Sequence, residues 1–270
     1  MRIIDAHVHT LDNYEPMAPF GGMGRYDRLI ELMDGAGVEK ALMLPVVQPF
    51  SPENNAECAA WARQHPDRLA TLTDVPLHEE GAAEQVLRAR ERYGAVGTSY
   101  YPNSGDIAWM LDEGRADLWR AYADTGLVCN LHVTPANYGV LALLAGRHAG
   151  VRFSCNHLGL PGSAFEPDAD GYRPLIEAAR LDNVFVKVSA FYHAAATPWD
   201  PRCPRALGFF HRLLAEIGPQ KLMWGSDWPP TGRHLTYRQS VEVVRTFAEG
   251  VDEQAMQRVM GGTAAEVFGI

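Results

Sequence analysis

The chain has 270 residues, a formal net charge of −9 and 47% hydrophobic residues. This length suits one large α/β barrel or two smaller domains with a packed core. The acidic balance argues against a nucleic acid or an anionic membrane as partner. No run approaches the roughly 18 apolar residues that a membrane helix needs. A small molecule is therefore the expected partner, and the sequence leaves homo-oligomerisation open.

The four cysteines, Cys58, Cys129, Cys155 and Cys203, are widely spaced and include no C-x-x-C pair. This spacing makes a disulfide a weak interpretation and a zinc–thiolate site a weaker one. Cys129 and Cys155 lie in apolar runs and are expected to be buried thiols. The chain also enters its first strand without a preceding apolar signal segment. Together these features predict a cytoplasmic protein.

Short apolar, β-branched runs alternate with longer amphipathic runs along the whole chain. The predicted strands cover residues 2–8, 40–47, 68–75, 95–101, 127–132, 151–157, 183–189 and 220–226. The predicted helices cover residues 25–36, 53–64, 79–93, 115–125, 137–147, 173–181, 205–217, 236–248 and 253–260. Eight successive strand–helix units are typical of a closed (β/α)8 TIM barrel. The alternative is an open doubly wound sheet, but the first strand is not followed by its usual glycine-rich turn. Because no linker divides the chain, residues 1–270 are predicted to form a single domain.

The first strand carries two histidines one residue apart, in Ile4-Asp5-Ala6-His7-Val8-His9. Side chains alternate faces along a strand, so His7 and His9 are expected on one face together with Asp5 and Ile3. Two imidazoles placed in this way can bind one divalent metal ion. Taken alone, the pattern fits two unrelated core or surface histidines equally well.

Polar residues also end three of the later strands. They are His132 at the end of the fifth strand, Asn156-His157 at the end of the sixth and Ser226-Asp227 at the end of the eighth. The carboxyl ends of the strands of a (β/α)8 barrel meet at one face, where the active site lies, so these residues should converge with His7 and His9. Four imidazoles and one carboxylate suit Zn²⁺, Mn²⁺ or a similar ion. The structural alternatives are a satisfied core histidine at His132 and a turn-capping carboxylate at Asp227.

Several stretches give the chain a family resemblance. They are Ile4-Asp5-Ala6-His7-Val8-His9, Asn156-His157-Leu158-Gly159-Leu160-Pro161, Val186-Lys187-Val188-Ser189, Met223-Trp224-Gly225-Ser226-Asp227-Trp228-Pro229 and Gly261-Gly262-Thr263-Ala264-Ala265-Glu266-Val267-Phe268-Gly269. With them the chain resembles the amidohydrolase superfamily, in particular its amidohydrolase 2 branch. That branch includes lactonases such as 2-pyrone-4,6-dicarboxylate lactonase, and also decarboxylases. The His-Leu-Gly-x-Pro and Gly-Ser-Asp-Trp-Pro pieces favour the lactonases, so the resemblance implies a metal-dependent hydrolase that opens a cyclic ester with water.

The resemblance also implies roles for individual residues. His7, His9, His132 and Asp227 match the metal-binding positions, and His157 matches a histidine that contacts the substrate or the attacking water. The fourth strand lacks the lysine that bridges two metals in relatives, so one ion is expected, with zinc preferred and manganese as the alternative. Some lactonases of the branch keep these side chains yet act without a metal, so metal-independent catalysis is a further alternative. Asp227 is the expected proton carrier and His157 the expected donor to the carbonyl oxygen.

Two other functional hypotheses stay open. One is a non-oxidative decarboxylase of an aromatic or unsaturated carboxylic acid, and the other is an inactive barrel that only binds ligands. The long loops carry many aromatic residues, among them Tyr14, Phe165, Phe191 and Trp199. Tyr100, Tyr192 and Arg233 are the predicted substrate-binding residues. Because few cations accompany the aromatic residues, a substrate with one anionic group or none is expected.

Overall fold

A computed structural model describes residues 1–102, 105–163, 165–197 and 200–270, so Trp199 lies outside the described residues. The strands are β1 (Ile4–Val8), β2 (Lys40–Met43), β3 (Leu69–Thr71), β4 (Thr73–Asp74), β5 (Gly97–Tyr100), β6 (Val128–Leu131), β7 (Phe153–Cys155), β8 (Val184–Val188) and β9 (Leu222–Trp224). The helices are α1 (Tyr26–Ala36), α2 (Asn54–Gln64), α3 (Ala82–Tyr93), α4 (Ala116–Thr125), α5 (Tyr138–Arg147), α6 (Arg173–Ala179), α7 (Pro204–Ile217), α8 (Tyr237–Phe247), α9 (Glu253–Gln257) and α10 (Thr263–Phe268). Strands and helices therefore alternate as the sequence predicts.

The strands form a parallel ring in chain order. One sheet holds β1, β2 and β3, and the other holds β4 to β9. Only Leu72 separates β3 from β4, so these two segments are one bent strand, the third of eight. The first and last strands also meet, because the Asp227 amide donates to the His7 carbonyl at 2.9 Å and the His9 amide donates to the Trp228 carbonyl at 2.7 Å. These bonds close the ring, and the predicted (β/α)8 barrel is confirmed.

Apolar side chains form separate clusters inside and outside the ring. Ile4, Leu42, Val128 and Met223 fill the interior and pack with Phe268 of α10. The larger cluster lies between the strands and the surrounding helices. With the interior filled in this way, polar side chains collect at the carboxyl ends of the strands, which we call the mouth. None of the described helices is both long and apolar enough to cross a membrane.

A bulge in β1 changes the alternation of its side chains. Asp5 pairs with Ala41 of β2, and Val8 pairs with Met43. Between these two pairs β1 therefore has one residue more than β2. A bulge of this kind bends the strand and re-aims the side chains beside it.

The bulge decides which residues of β1 share a face. His7 and His9 lie together, with their Nε2 atoms 3.2 Å apart. Ile3 packs in the outer cluster, and the Asp5 carboxylate accepts a bond from the Tyr237 hydroxyl of α8. The prediction that Ile3 and Asp5 share the histidine face is therefore wrong. It assumed strict alternation, which one extra residue reverses.

Candidate active site

His7, His9 and Asp227 come together at the mouth, where the first and last strands meet. His7 Nε2 lies 3.2 Å from His9 Nε2, and Asp227 Oδ1 lies 3.4 Å from each of these nitrogens. All three side chains are buried. An ion with four ligands at about 2.0–2.1 Å holds its ligand atoms about 3.3–3.4 Å apart, so the triangle fits such an ion.

The hydrogen bonding of His9 prepares its Nε2 atom for an ion. His9 Nδ1 lies 2.8 Å from the Leu44 carbonyl oxygen, which can only accept. Nδ1 therefore carries a proton, which leaves Nε2 as the nitrogen that can present a lone pair to an ion. A hydrogen bond from the far ring nitrogen to a carbonyl is typical of metal-binding histidines.

The protonation states of the cluster also suit an ion. Burial is the main cause that lowers the pKa of His7 and His157 well below the ordinary value. Neighbouring basic groups lower it further, and at His157 the charge of Asp227 opposes this shift. Burial alone would raise the pKa of Asp227, but His157, His9 and Tyr192 lower it, and the net pKa is about 2. Near neutral pH the rings of His7 and His157 are thus neutral and Asp227 is ionised, which are the forms that bind metal ions.

His157 stands beside the triangle. Its ring centroid is 4.4 Å from that of His7, and single ligand atoms of His7, His157 and Asp227 lie within 4.8 Å of one another. Its Nδ1 is 2.9 Å from Ser189 Oγ. Both His157 (φ 56°) and Asp227 (φ 59°) have left-handed backbone, which residues other than glycine rarely adopt. Such conformations persist only where surrounding contacts hold them, and they concentrate at functional sites.

His132 borders the cluster without joining the triangle. Its ring centroid lies 5.6 Å from that of His157 and 5.4 Å from that of Tyr101. Burial lowers the pKa of His132 to about 4, so its ring is neutral near neutral pH. Its role as a metal ligand stays a prediction.

The three predicted substrate-binding residues lie in different surroundings. The Tyr192 hydroxyl donates to Asp227 Oδ2 at 2.5 Å. The Tyr100 hydroxyl lies 3.2 Å from His78 Nδ1, and its ring packs in the outer apolar cluster. Arg233 is exposed. The structure thus brings Tyr192 into the cluster and leaves Tyr100 outside it, and their contacts with substrate stay predictions.

Sequence reasoning missed two residues of the mouth, Tyr101 and Ser189. The Tyr101 ring centroid lies 6.3 Å from that of His9, and Ser189 contacts His157. Both residues directly follow the last residues of a barrel strand. The strand-end criterion that selected the histidines would have selected these two residues as well.

Asp5 accepts hydrogen bonds from the backbone on which the cluster is built. Its carboxylate accepts from the His7 amide at 3.1 Å, from the Ser226 amide at 2.8 Å and from the Tyr237 hydroxyl at 3.0 Å. The bulge takes the His7 amide out of the strand ladder, and Asp5 supplies the missing acceptor. Asp5 thereby connects three segments through hydrogen bonds: the strand at His7, the segment just before Asp227, and α8.

Asp74, the last residue of β4, is a half-buried acid. Its Oδ2 accepts from the Val47 amide at 2.8 Å, and Asn55 bonds to both its backbone amide and its carbonyl. Burial raises the pKa of Asp74 from 3.8 to about 6. The Asp74 carboxylate therefore holds the loop after β2 through Val47. Its raised pKa also makes the stability of the folded protein depend on pH.

We expect Asp74→Asn to become more stable relative to the wild type as the pH rises from about 4 to about 7. In this window folded Asp74 keeps a proton that the unfolded chain has lost, so wild-type stability falls with rising pH, by up to about 3 kcal/mol. Asparagine keeps an acceptor for Val47 and cannot ionise. Urea unfolding at both pH values measures the effect, and a difference between the two proteins that does not vary with pH would contradict it.

Comparison with known proteins identifies the family of the chain. The family model described as Amidohydrolase matches residues 4–270. The curated protein 4-sulfomuconolactone hydrolase of Rhizobium radiobacter is 28% identical over 149 residues, which are 52% of this chain and 47% of that protein. The chain thus spans about half the length of the curated relative it matches.

Solved structures share the fold over its whole length. A probable 2-pyrone-4,6-dicarboxylic acid hydrolase from Acinetobacter baumannii, with citric acid bound, has a TM-score of 0.82 at 19% identity and covers 100% of both chains. An amidohydrolase from Burkholderia multivorans with bound zinc has a TM-score of 0.81 at 22% identity, again over 100% of both chains. The 5-carboxyvanillate decarboxylase of Sphingomonas paucimobilis has a TM-score of 0.73 at 18% identity, over 100% of this chain and 99% of that one. Since the family model matches nearly every residue, this chain belongs to the amidohydrolase family.

Proposed function

We propose that this protein is a hydrolase that opens a lactone with water and uses one divalent ion held at the mouth. The observation that carries the proposal is the triangle of His7 Nε2, His9 Nε2 and Asp227 Oδ1, with edges of 3.2 to 3.4 Å. The names 4-sulfomuconolactone hydrolase and 2-pyrone-4,6-dicarboxylic acid hydrolase support a lactone as the substrate class. The zinc-bound relative supports zinc as the ion, with manganese as the alternative.

The remaining predicted residues are proposed to complete the site. His132, which borders the cluster, is the further metal ligand of this proposal. Exposed Arg233 would bind one anionic group of the substrate, and Tyr100 is proposed as a further substrate contact. These assignments rest on the positions of the three residues at the ends of barrel strands or in the segments after them, and on the ligands that their side chains can bind.

The chemistry of the proposal follows from the two oxygens of Asp227. An ion bound at the triangle supplies a lowered pKa for a coordinated water and polarises the carbonyl. Asp227 Oδ1 faces the two histidines, so Oδ2, which keeps a second lone pair beside its bond from Tyr192, is the oxygen that accepts the proton of the attacking water. The water oxygen bonds to the carbonyl carbon, the ring C–O bond breaks, and Asp227 passes the proton to the departing alkoxide oxygen.

His157 supports the negative charge that develops on the carbonyl oxygen. When the Ser189 hydroxyl donates to His157 Nδ1, the neutral ring carries its proton on Nε2. That N–H is then free to donate to the carbonyl oxygen. A Ser189 hydroxyl that donates to Nδ1 is therefore compatible with the tautomer of His157 that this role requires.

Purified protein is expected to contain about one equivalent of divalent metal and to hydrolyse members of a lactone panel. Complete removal of the metal should abolish hydrolysis, because the attacking water then keeps its ordinary pKa, and adding back Zn²⁺ or Mn²⁺ should restore it. Metal content is measured by mass spectrometry, and hydrolysis by acid release.

Two controls make this experiment selective. His7→Ala should lose the metal, whereas His65→Ala, which changes a histidine just after α2 and away from the mouth, should keep it. Full hydrolysis by verified metal-free protein would contradict the role of the ion. Release of carbon dioxide from hydroxybenzoates, without hydrolysis of any lactone, would favour the decarboxylase.

We also propose that the chain forms one domain and works in a reducing compartment, the cytoplasm. The family model spans residues 4–270 without interruption. All four cysteines are buried free thiols, which fits a reducing environment.

A further inference from the structure

The segment that follows β8 touches both candidate catalytic residues. Ser189 contacts His157, and three residues later the Tyr192 hydroxyl reaches Asp227. Between them Ala190 adopts left-handed backbone (φ 49°), which turns the chain into the short 3-10 helix Phe191–His193. The local conformation of this segment therefore aims Tyr192 at the mouth.

Tyr192 is held by more than its hydrogen bond. Its ring stacks on that of His234, with centroids 4.8 Å apart and planes 14° apart, and its centroid lies 4.4 Å from that of His193. An ionised carboxylate can only accept a hydrogen bond, so the Tyr192 hydroxyl is the donor to Asp227. A fixed ring with a protonated hydroxyl can orient the group that accepts from it.

The contacts of Asp227 divide its two oxygens between different partners. Oδ1 lies 3.4 Å from Nε2 of both His7 and His9, while Oδ2 accepts from Tyr192 at 2.5 Å. A carboxylate can bind an ion through one oxygen or through both. With Oδ2 engaged by Tyr192, only Oδ1 is directed at the position of the ion.

We propose that Tyr192 is a positioning residue that holds Asp227 in the one-oxygen orientation and so keeps a coordination position open for water. This inference rests on the proposed function for the identity of the site, and it gives Tyr192 a role other than the substrate contact predicted from sequence. Catalytic metal sites need an open position for water or substrate. Without the hydroxyl, Asp227 can rotate and bring Oδ2 toward the histidines, where it takes that position.

The test compares Tyr192→Phe with Tyr122→Phe. The second variant also removes a buried tyrosine hydroxyl, but that hydroxyl bonds to Thr98 on the outer side of the barrel. Tyr192→Phe is expected to lower kcat for a lactone by about 10- to 100-fold, the effect of losing one hydrogen bond to a charged group. KM should change by less than about threefold, because substrate contacts are unchanged. Tyr122→Phe should leave both constants close to the wild-type values.

Two further measurements separate positioning from a general structural effect. In the Co²⁺-loaded proteins, the visible spectrum should change for Tyr192→Phe and not for Tyr122→Phe, because a second carboxylate oxygen changes the ligand set. Crystal structures of the wild type and Tyr192→Phe should show Asp227 rotated in the variant. An unchanged Co²⁺ spectrum, or Asp227 with the same side-chain orientation in both crystal structures, would overturn the proposal.

The inference and the proposed function fail in different ways. Wild-type protein that neither binds metal nor hydrolyses any lactone would refute the proposed function. The orientation of Asp227 in the two crystal structures would still decide whether Tyr192 positions it. Normal kcat for Tyr192→Phe in an active, metal-loaded enzyme would refute the role of Tyr192 alone.

Discussion

Asp227→Asn is expected to lower kcat/KM for lactone hydrolysis by at least about 100-fold and to leave the folded structure intact. The amide has nearly the same shape as the carboxylate and keeps an oxygen that can accept from Tyr192. It cannot take a proton from the attacking water, and it is a weaker ligand for a divalent ion. Steady-state kinetics on the best substrate of the lactone panel measures the effect, with circular dichroism as the test of folding.

The control for this variant is Asp124→Asn, which neutralises an exposed aspartate of α4 away from the mouth. This variant should retain wild-type activity. That result would show that the change of net charge by one unit does not cause the loss of activity in Asp227→Asn. Normal turnover by a folded Asp227→Asn protein would refute the assignment of Asp227 as proton carrier. Metal content measured on the same samples separates loss of the ion from loss of proton transfer.

Asp5→Ala is expected to lower the free energy of unfolding by about 3 kcal/mol or more. Three buried donors lose their acceptor together: the His7 amide, the Ser226 amide and the Tyr237 hydroxyl. Each unsatisfied buried donor costs roughly 1–3 kcal/mol. Because Asp5 joins the β1 bulge to the segment before Asp227, metal affinity should fall as well. Urea unfolding and metal titration of the same protein measure the two effects.

Asp5→Asn is the matched variant for this prediction. Its side-chain oxygen can still accept from the two amides, and its NH₂ group can donate to the Tyr237 oxygen. Its loss of stability should therefore be much smaller than that of Asp5→Ala. Equal losses for the two variants, or a loss below about 1 kcal/mol for Asp5→Ala, would show that these hydrogen bonds do not stabilise the junction.

The convergence of the site residues could be predicted without coordinates. His7, His9, His157 and Asp227 all lie at or beside the carboxyl end of a predicted barrel strand, and parallel strands in a closed ring bring these ends to one face. That rule depends only on topology, so 220 residues of separation between His7 and Asp227 do not weaken it. The Oδ1–Nε2 distance of 3.4 Å between Asp227 and His7 agrees with this reasoning.

The details of the mouth could not be predicted in the same way. Strict alternation put Asp5 on the histidine face, and the bulge placed it against α8 instead. Tyr100 was selected as a site residue, but Tyr101 is the tyrosine that faces His9 and His132. In both cases a shift of one residue decides which face a side chain takes, and apolar periodicity does not resolve such a shift.

The sequence by itself determined the number and order of the strand–helix units and the convergence of His7, His9, His157 and Asp227 at the mouth. Both follow from local hydrophobic patterning and from the direction of parallel strands. Only the tertiary structure decided that Asp5 supports the bulge, that Ser189 contacts His157 and that Tyr192 engages one oxygen of Asp227. These contacts join residues that are distant in sequence or lie in loops, and they depend on strand register and backbone conformation, which the packing of the whole barrel fixes.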